Sequence, residues 1–262
     1  HKKKEFENFI ESNMQQALDS QCFEMVLQPK MNLQTNSVIA AEALVRWRLE
    51  DGTYLPPSSF VDIFEKNRFC SKLDFYMLKK AIQQIRKWID MGINPVNISV
   101  NQSKIVFYHA NYISELKSLL EEYNVSGSYI TLEVLESTVI EDIDIFNSIL
   151  TEVKKLGFSV SLDDFGSGYS SLNVLSKLQI DELKIDRIFL HTKSEVDNQR
   201  TKWILESIID IAKKSQILVV VEGVESKQDD LFIKNLGADV GQGYFYGRPL
   251  SISAFNDLIE TK

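Results

Sequence analysis

The sequence predicts an α/β protein, a modified TIM (β/α)8 barrel with one antiparallel strand. Three observations predict it. Short apolar runs recur at 96–100, 129–134, 158–162, 182–185, 217–221 and 239–245. Between them lie stretches of helical length and period, such as 71–91, 140–156 and 200–214. Strands that alternate with helices build a parallel sheet. Ahead of this series, 23–30 and 37–47 flank a polar turn at Gln34-Thr35-Asn36. A hairpin of that kind is antiparallel, so one strand of the barrel runs against the rest.

The elements follow in order. Phe6, Ile10, Met14 and Ala17 recur at helical spacing, so residues 1–22 are expected to form a leading helix and a linker to an upstream region. Residues 23–262 are expected to form the barrel. A chain of 262 residues has the size of one such barrel, about 250 residues. Its 44% hydrophobic and 25% charged content suits a large buried core. The net charge of −8 argues against a nucleic-acid polymer as partner, because phosphate backbones need a basic footprint. Cys22 and Cys70 lie far apart in sequence, which fits a reducing, cytoplasmic setting without disulfides. No apolar run is long enough to span a bilayer, so no membrane contact is expected of this segment. The opening His1-Lys2-Lys3-Lys4 without Met suggests a domain of a longer protein, whose full-length form could still be membrane-anchored.

The chemistry sits at the ends of the apolar runs. Glu42, Asn101, Glu133, the adjacent Asp163 and Asp164, Lys184, Glu222 and Gln242 each fall at such an end. In a barrel the carboxyl ends of the strands converge on one pocket. Five acids converging there repel one another unless cations intervene. Carboxylates and an amide oxygen suit magnesium or manganese, and two such ions about 3.5–4 Å apart are a usual device for cleaving phosphodiesters. Bland readings stand beside this one. Asp163-Asp164 could instead cap a helix, Glu136 could be solvated or cap a loop, and Lys184 either pairs structurally or faces the pocket.

These residues fall in motifs that resemble the EAL domain, the cyclic di-GMP phosphodiesterase family of bacterial signalling. Glu42-Ala43-Leu44 is the naming triplet, followed by Val45-Arg46-Trp47 and preceded by Gln28-Pro29. Val100-Asn101-Gln102-Ser103, Leu132-Glu133-Val134-Leu135-Glu136-Ser137 and Asp163-Asp164-Phe165-Gly166-Ser167-Gly168-Tyr169-Ser170-Ser171 follow. Leu183-Lys184-Ile185-Asp186, Val221-Glu222-Gly223-Val224-Glu225-Ser226 and Gln242-Gly243-Tyr244 complete the series.

The resemblance implies hydrolysis of cyclic di-GMP to linear pGpG with two Mg2+ or Mn2+ ions. It implies that Glu42, Asn101, Glu133 and Asp163 hold one ion, and that Asp163, Asp164 and Glu222 hold or orient the other. Lys184, Glu222 and Gln242 are implied in catalysis, Lys184 orienting the nucleophile and Glu222 being the alternative base. Gln28, Leu44, Arg46 and Asp186 are implied to contact the nucleotide. Glu136 and the loop Phe165, Gly166, Ser167, Gly168 are implied to couple the aspartates to a homodimer interface. An upstream sensory or GGDEF-type domain is a further implied partner. Lys30, Asp62 and Ser226 depart from the family pattern, and Lys30 is expected at the pocket rim. A catalytically silent cyclic di-GMP receptor and an enolase-like lyase using Lys184 are the competing readings.

Overall fold

The computed structural model describes residues 2–139, 142–166, 172–190 and 195–260. Among the described residues nine strands form: β1 Phe23–Asn32, β2 Ser37–Arg48, β3 Tyr54–Leu55, β4 Asn97–Asn101, β5 Ile130–Leu135, β6 Ser159–Phe165, β7 Glu182–Ile185, β8 Leu218–Val221 and β9 Val240–Gln242. Their order is β1-β9-β8-β7-β6-β5-β4-β2-β3, and β1 also pairs with β2. That last pairing closes eight strands into a barrel, with the two-residue β3 appended outside the ring.

β1 is antiparallel to both of its neighbours, while the other ring strands pair in parallel. The cause is local. Asn36 takes φ +52° in the β1–β2 turn, a left-handed conformation that asparagine tolerates. The side chain of Asn32 accepts hydrogen bonds from the amides of Gln34 and Thr35. A tight turn of this kind can only join antiparallel strands.

Eleven helices surround the described barrel: α1 Lys2–Asp19, α2 Val61–Lys66, α3 Cys70–Asp90, α4 Lys104–Phe107, α5 Tyr112–Tyr123, α6 Glu136–Val139, α7 Ile143–Lys155, α8 Leu172–Lys177, α9 Glu195–Lys214, α10 Lys227–Asn235 and α11 Ile252–Glu260. Alternation along the strands sorts the core. Ile98 and Val100, Leu132 and Val134, Val160 and Leu162, Leu183 and Ile185, and Val219 and Val221 are buried in one continuous cluster with helix residues such as Leu78, Ile82, Phe107 and Phe146. The alternate positions, Ser99, Thr131, Glu133, Ser161, Asp163 and Lys184, are buried too, but they point into the barrel and are polar. The interior layers of such barrels are usually filled by branched apolar side chains. Polarity there is the first sign that the upper barrel is not built for stability alone.

α1 packs through Ile10 and Ala17, both buried, while Phe6 stays 39% exposed. Phe6 stacks on Phe9, which stacks on Trp47. The elements extend or shorten the expected ones in places. β6 runs on through the aspartates to Phe165, β9 stops at Gln242, and α9 begins at Glu195. Ser226, one of the departures from the family pattern, caps α10. Its hydroxyl accepts from the amide of Asp229, and the Asp229 carboxylate accepts from the amide of Ser226 in return.

Ser226→Ala is expected to cost about 1 kcal/mol in denaturant unfolding, the usual loss for an N-cap hydroxyl. Ser226→Thr is expected to leave stability nearly unchanged.

Candidate functional site

The strand ends bring the expected residues together. Lys184, fully buried, places its Nζ 2.8 Å from Glu133 Oε2, 3.0 Å from Glu222 Oε1, 3.1 Å from Asp163 Oδ1 and 3.4 Å from Glu42 Oε2. It is an ion-pair centre beneath carboxylates that line the mouth: the geometry shows the structural pairing, and Lys184 meets the pocket only through those acids. Asn101 donates through Nδ2 to Glu42 Oε1 at 3.2 Å. Gln242 donates through Nε2 to Glu42 Oε2 at 2.6 Å and to Gln28 Oε1 at 3.2 Å.

Asp163 and Asp164 are neighbours on β6, and plain alternation would send them to opposite faces. The register breaks between Leu162 and Phe165, and Asp164 adopts φ +57°. Its amide donates to Asp163 Oδ1 at 2.8 Å. This left-handed step, which costs a non-glycine residue roughly 1 kcal/mol or more, turns Asp164 toward the mouth beside Asp163. Among the described residues, Glu42, Glu133 and Asp163 offer carboxylate oxygens within 4.8 Å of one another, and so do Asp163, Asp164 and Glu222. Asp163 is common to both groups.

The electrostatics are uneven. Burial pushes Glu42, Asp163 and Glu222 upward in pKa, and their mutual repulsion adds to it against the pull of Lys184. Glu222, with its side chain 21% exposed, reaches about 8. Glu133 goes the other way. Burial opposes its ionisation, but Lys184 and Lys30 outweigh that and hold it down to about 2. For Lys184, burial opposes the charge, but the four carboxylates around it more than reverse this, so it is firmly protonated.

Two cavities meet at the cluster. One, of 370 Å3, is lined by Gln28, Glu42, Leu44, Asp164, Asp186, Arg187, Glu222, Gln242 and Tyr244. The other, of 340 Å3, carries Glu42, Leu44, Asn101, Glu133, Asp163 and Asp164 against an apolar wall that includes Val61, Phe64, Leu73 and Met77. A larger cavity of 550 Å3 lies between α1 and the end of β2. No buried ionisable group lines it, so size alone would mislocate the site.

The remaining expected residues divide. Gln28, Leu44 and Asp186 line the pocket as expected. Arg46 does not: its Nη1 folds back onto the carbonyl of Val45 at 2.8 Å. Glu136 is buried at the start of α6. Phe165 is buried at the end of β6. Gly166, at φ +94°, leaves no room for a Cβ against the Phe189 ring. Ser167 and Gly168 lie outside the described residues. Lys30 is not at the rim. It is fully buried beneath Glu133, with Nζ 2.8 Å from Glu133 Oε1. Sequence reasoning also passed over Tyr244 and Arg187. Tyr244 sits in the Gln242-Gly243-Tyr244 motif, and that place, two residues after a candidate site residue, was the available signal.

The donor set fits hard divalent cations. Its atoms are carboxylate and amide oxygens without a thiolate or imidazole. The buried Oε1 of Gln242 has no hydrogen-bond partner, and with Nδ2 of Asn101 turned to Glu42, the amide oxygen is the end of Asn101 left for ligation.

The raised acids set a pH dependence in the absence of divalent cations. Glu222 binds its proton up to about 8 when folded, against about 4.3 for a free glutamate. Between those values the folded state holds more protons than the unfolded state, so stability falls as pH rises. In chelator-treated protein the melting temperature is expected to decline from pH 5 to pH 8.5, and Glu222→Gln is expected to flatten the upper part of that decline.

The EAL domain family profile matches residues 11–249. The bifunctional diguanylate cyclase/cyclic di-GMP phosphodiesterase MucR of Pseudomonas aeruginosa is 33% identical over 238 residues, 91% of this chain and 34% of that protein. Cyclic di-GMP phosphodiesterase PdeR of Escherichia coli is 31% identical over 248 residues, 94% of this chain and 37% of that protein. The chain therefore spans about a third of the length of these curated relatives. Among solved structures, the PaMucR phosphodiesterase in its c-di-GMP complex superposes with a TM-score of 0.86 at 32% identity, covering 94% of this chain and 99% of that one. The EAL enzyme Bd1971, in a form with cAMP and cyclic-di-GMP bound, gives 0.88 at 29% identity, covering 97% of this chain and 69% of that one. With its motifs in order on a closed barrel and the family profile matched over nearly its whole length, the chain belongs to the EAL domain family.

Proposed function

We propose that this chain hydrolyses cyclic di-GMP to linear pGpG, using two Mg2+ or Mn2+ ions. The observation that carries the reading is the pair of acidic groups sharing Asp163, set where two cavities meet. A cyclic dinucleotide has two nucleoside arms joined by two phosphodiesters, one of which is cleaved to give the linear product. The two cavities suit the arms, and the shared wall of Glu42, Leu44 and Asp164 suits the phosphodiester.

In this reading Glu42, Asn101, Glu133 and Asp163 hold one ion, and Asp163, Asp164 and Glu222 the other. Bound there, such ions would lower the pKa of water and stabilise negative charge developing on the phosphodiester. Lys184 stays protonated, so it acts by charge and direction: it orients the nucleophile and offsets negative charge on the phosphoryl oxygens. Glu222, the most exposed of the four acids around Lys184, is the residue suited to accept a proton there. Gln242 fixes Glu42 from the side, while Gln28, Leu44 and Asp186 line the arm of the pocket beside Tyr244. Arg46, turned onto its own strand, would have to swing out to grip phosphate.

The reading extends to the setting. It includes a homodimer, an upstream sensory or GGDEF-type domain in the parent protein, and a cytoplasmic location. The free Cys22 and Cys70 agree with a reducing compartment. No helix among the described residues is long and apolar enough to cross a membrane.

The test is incubation of the purified domain with cyclic di-GMP and MgCl2 or MnCl2, following pGpG by anion-exchange chromatography. Turnover is expected, lost with chelator and restored by either cation. Glu42→Gln and Asp163→Asn are each expected to lower kcat more than about a hundredfold, beyond the usual cost of disturbing a ligand's supporting partner. Tight binding without pGpG would instead make the domain a receptor, and normal turnover by either variant would overturn the ligand set.

A further inference from the structure

Lys30 has no part in the reading above, yet it is one of the most completely enclosed charges in the molecule. It stands on β1, the strand that runs against the rest. Its Cα pairs with Ala40 on β2 and Gln242 on β9, and the β1–β2 register shifts between Lys30 and Met31. Bulges of this kind re-aim a side chain. From there the side chain crosses the barrel interior to three other strands. Nζ lies 2.7 Å from Ser99 Oγ on β4, 2.8 Å from Glu133 Oε1 on β5 and 3.2 Å from Glu182 Oε1 on β7. An ammonium has three donors, and all three are used.

The consequence falls on Glu133. Its Oε1 is held from below by Lys30, and its Oε2 is held from above by Lys184 at 2.8 Å. The two oxygens therefore have separate duties. Oε1 is committed to the barrel floor, and Oε2 is turned to the mouth beside Glu42 and Asp163. Ser99 and Glu182 hold the ammonium that holds Oε1, so the arrangement is rigid at both ends.

We propose that Lys30 is a positioning residue for the reaction: by fastening Oε1 of Glu133 from beneath, it keeps Oε2 alone presented to a divalent cation. This rests on the proposed ligand role of Glu133. Two accounts of Lys30 predict opposite signs. If it contributes only charge, removing it leaves the mouth more negative and a cation binds more tightly. If it positions Glu133, removing it frees the carboxylate and a cation binds more weakly.

The experiment is calorimetric titration of Mn2+ into the chelator-treated domain without substrate, beside steady-state kinetics with cyclic di-GMP. Lys30→Met leaves Glu182 short of a partner and could fail to fold. The double variant Lys30→Met/Glu182→Leu removes both charges together and is the second arm, with Glu182→Gln as the control. In both Lys30 variants Mn2+ affinity is expected to fall about tenfold or more, the usual range for a residue that orients a metal ligand. In both, kcat is expected to fall while KM for cyclic di-GMP stays within about twofold, and Glu182→Gln, which removes one partner of Lys30 but leaves Lys30 on Glu133, is expected to lose less Mn2+ affinity than either Lys30 variant. Mn2+ affinity equal to or tighter than that of the unaltered domain in the double variant would overturn the proposal and leave Lys30 as a core charge. If the unaltered domain binds Mn2+ but yields no pGpG, the proposed function fails while the affinity ratio still decides the role of Lys30. If it binds no Mn2+, both fall.

Discussion

The structure depends on one ammonium group. Lys184 Nζ lies within 3.4 Å of carboxylate oxygens from Glu42, Glu133, Asp163 and Glu222. Two like charges about 4 Å apart repel by about 4 kcal/mol even at an effective dielectric near 20, and here several such pairs are crowded into a mostly buried mouth. Lys184 offsets that repulsion from the centre. Its own burial is tolerable only because of the same four partners. Neither the acids nor the lysine is stable there without the other, so the mouth of the barrel folds as a unit.

The backbone makes that unit possible through a few local departures from regularity. Parallel strands with strict alternation deliver one inward side chain per strand end. That supplies Glu42, Glu133, Asp163, Lys184 and Gln242, but it would turn Asp164 away. The left-handed Asp164 and the register break beside it recover the second aspartate. Gly223, at φ +72° and packed so close to Arg187 that a Cβ would collide with it, lets the chain turn immediately after Glu222. The bulge at Lys30 does the same service one layer lower. The regular barrel provides a ring of positions, and the irregular residues decide which chemistry the ring carries.

Much of this was legible in the sequence, and the exceptions have physical reasons. The strand series and the antiparallel hairpin could be read because apolar runs of strand length and turn residues are local signals. The acids could be read because they end those runs. Asp163 and Asp164 were read as lying just past a strand, whereas β6 continues through them: their charge marked a boundary that backbone pairing does not respect. The last strand was read too long, because Gly241 packs under Tyr246 and Gly243 under Val224, and the ladder stops at Gln242. Lys30 was misplaced at the rim because the direction of a side chain on β1 depends on a bulge and on which strands lie across the barrel. Neither is a property of the neighbouring sequence. Arg46 follows the inward parity of Glu42 and Leu44, but its long side chain folds back onto the Val45 carbonyl, a choice that parity does not determine.

The acids of the site are not equivalent, and the two lysines are what distinguish them. Glu42, Asp163 and Glu222 share one ammonium and are pushed toward protonation by burial and by one another. Glu133 has two, one on each oxygen, and is driven deep into its ionised form despite being the more buried group. Environments that push neighbouring carboxyls apart in this way assign them different work. A carboxylate fixed in charge and direction is suited to be a permanent fixture of the site. A partly exposed one, as Glu222 is, is suited to exchange a proton. The division does not come from the acids themselves, which are carboxylates at the strand ends of one ring. It comes from Lys184, which lies nearest Glu133, and from Lys30, which reaches Glu133 from a strand that runs the opposite way and leaves Glu222 untouched.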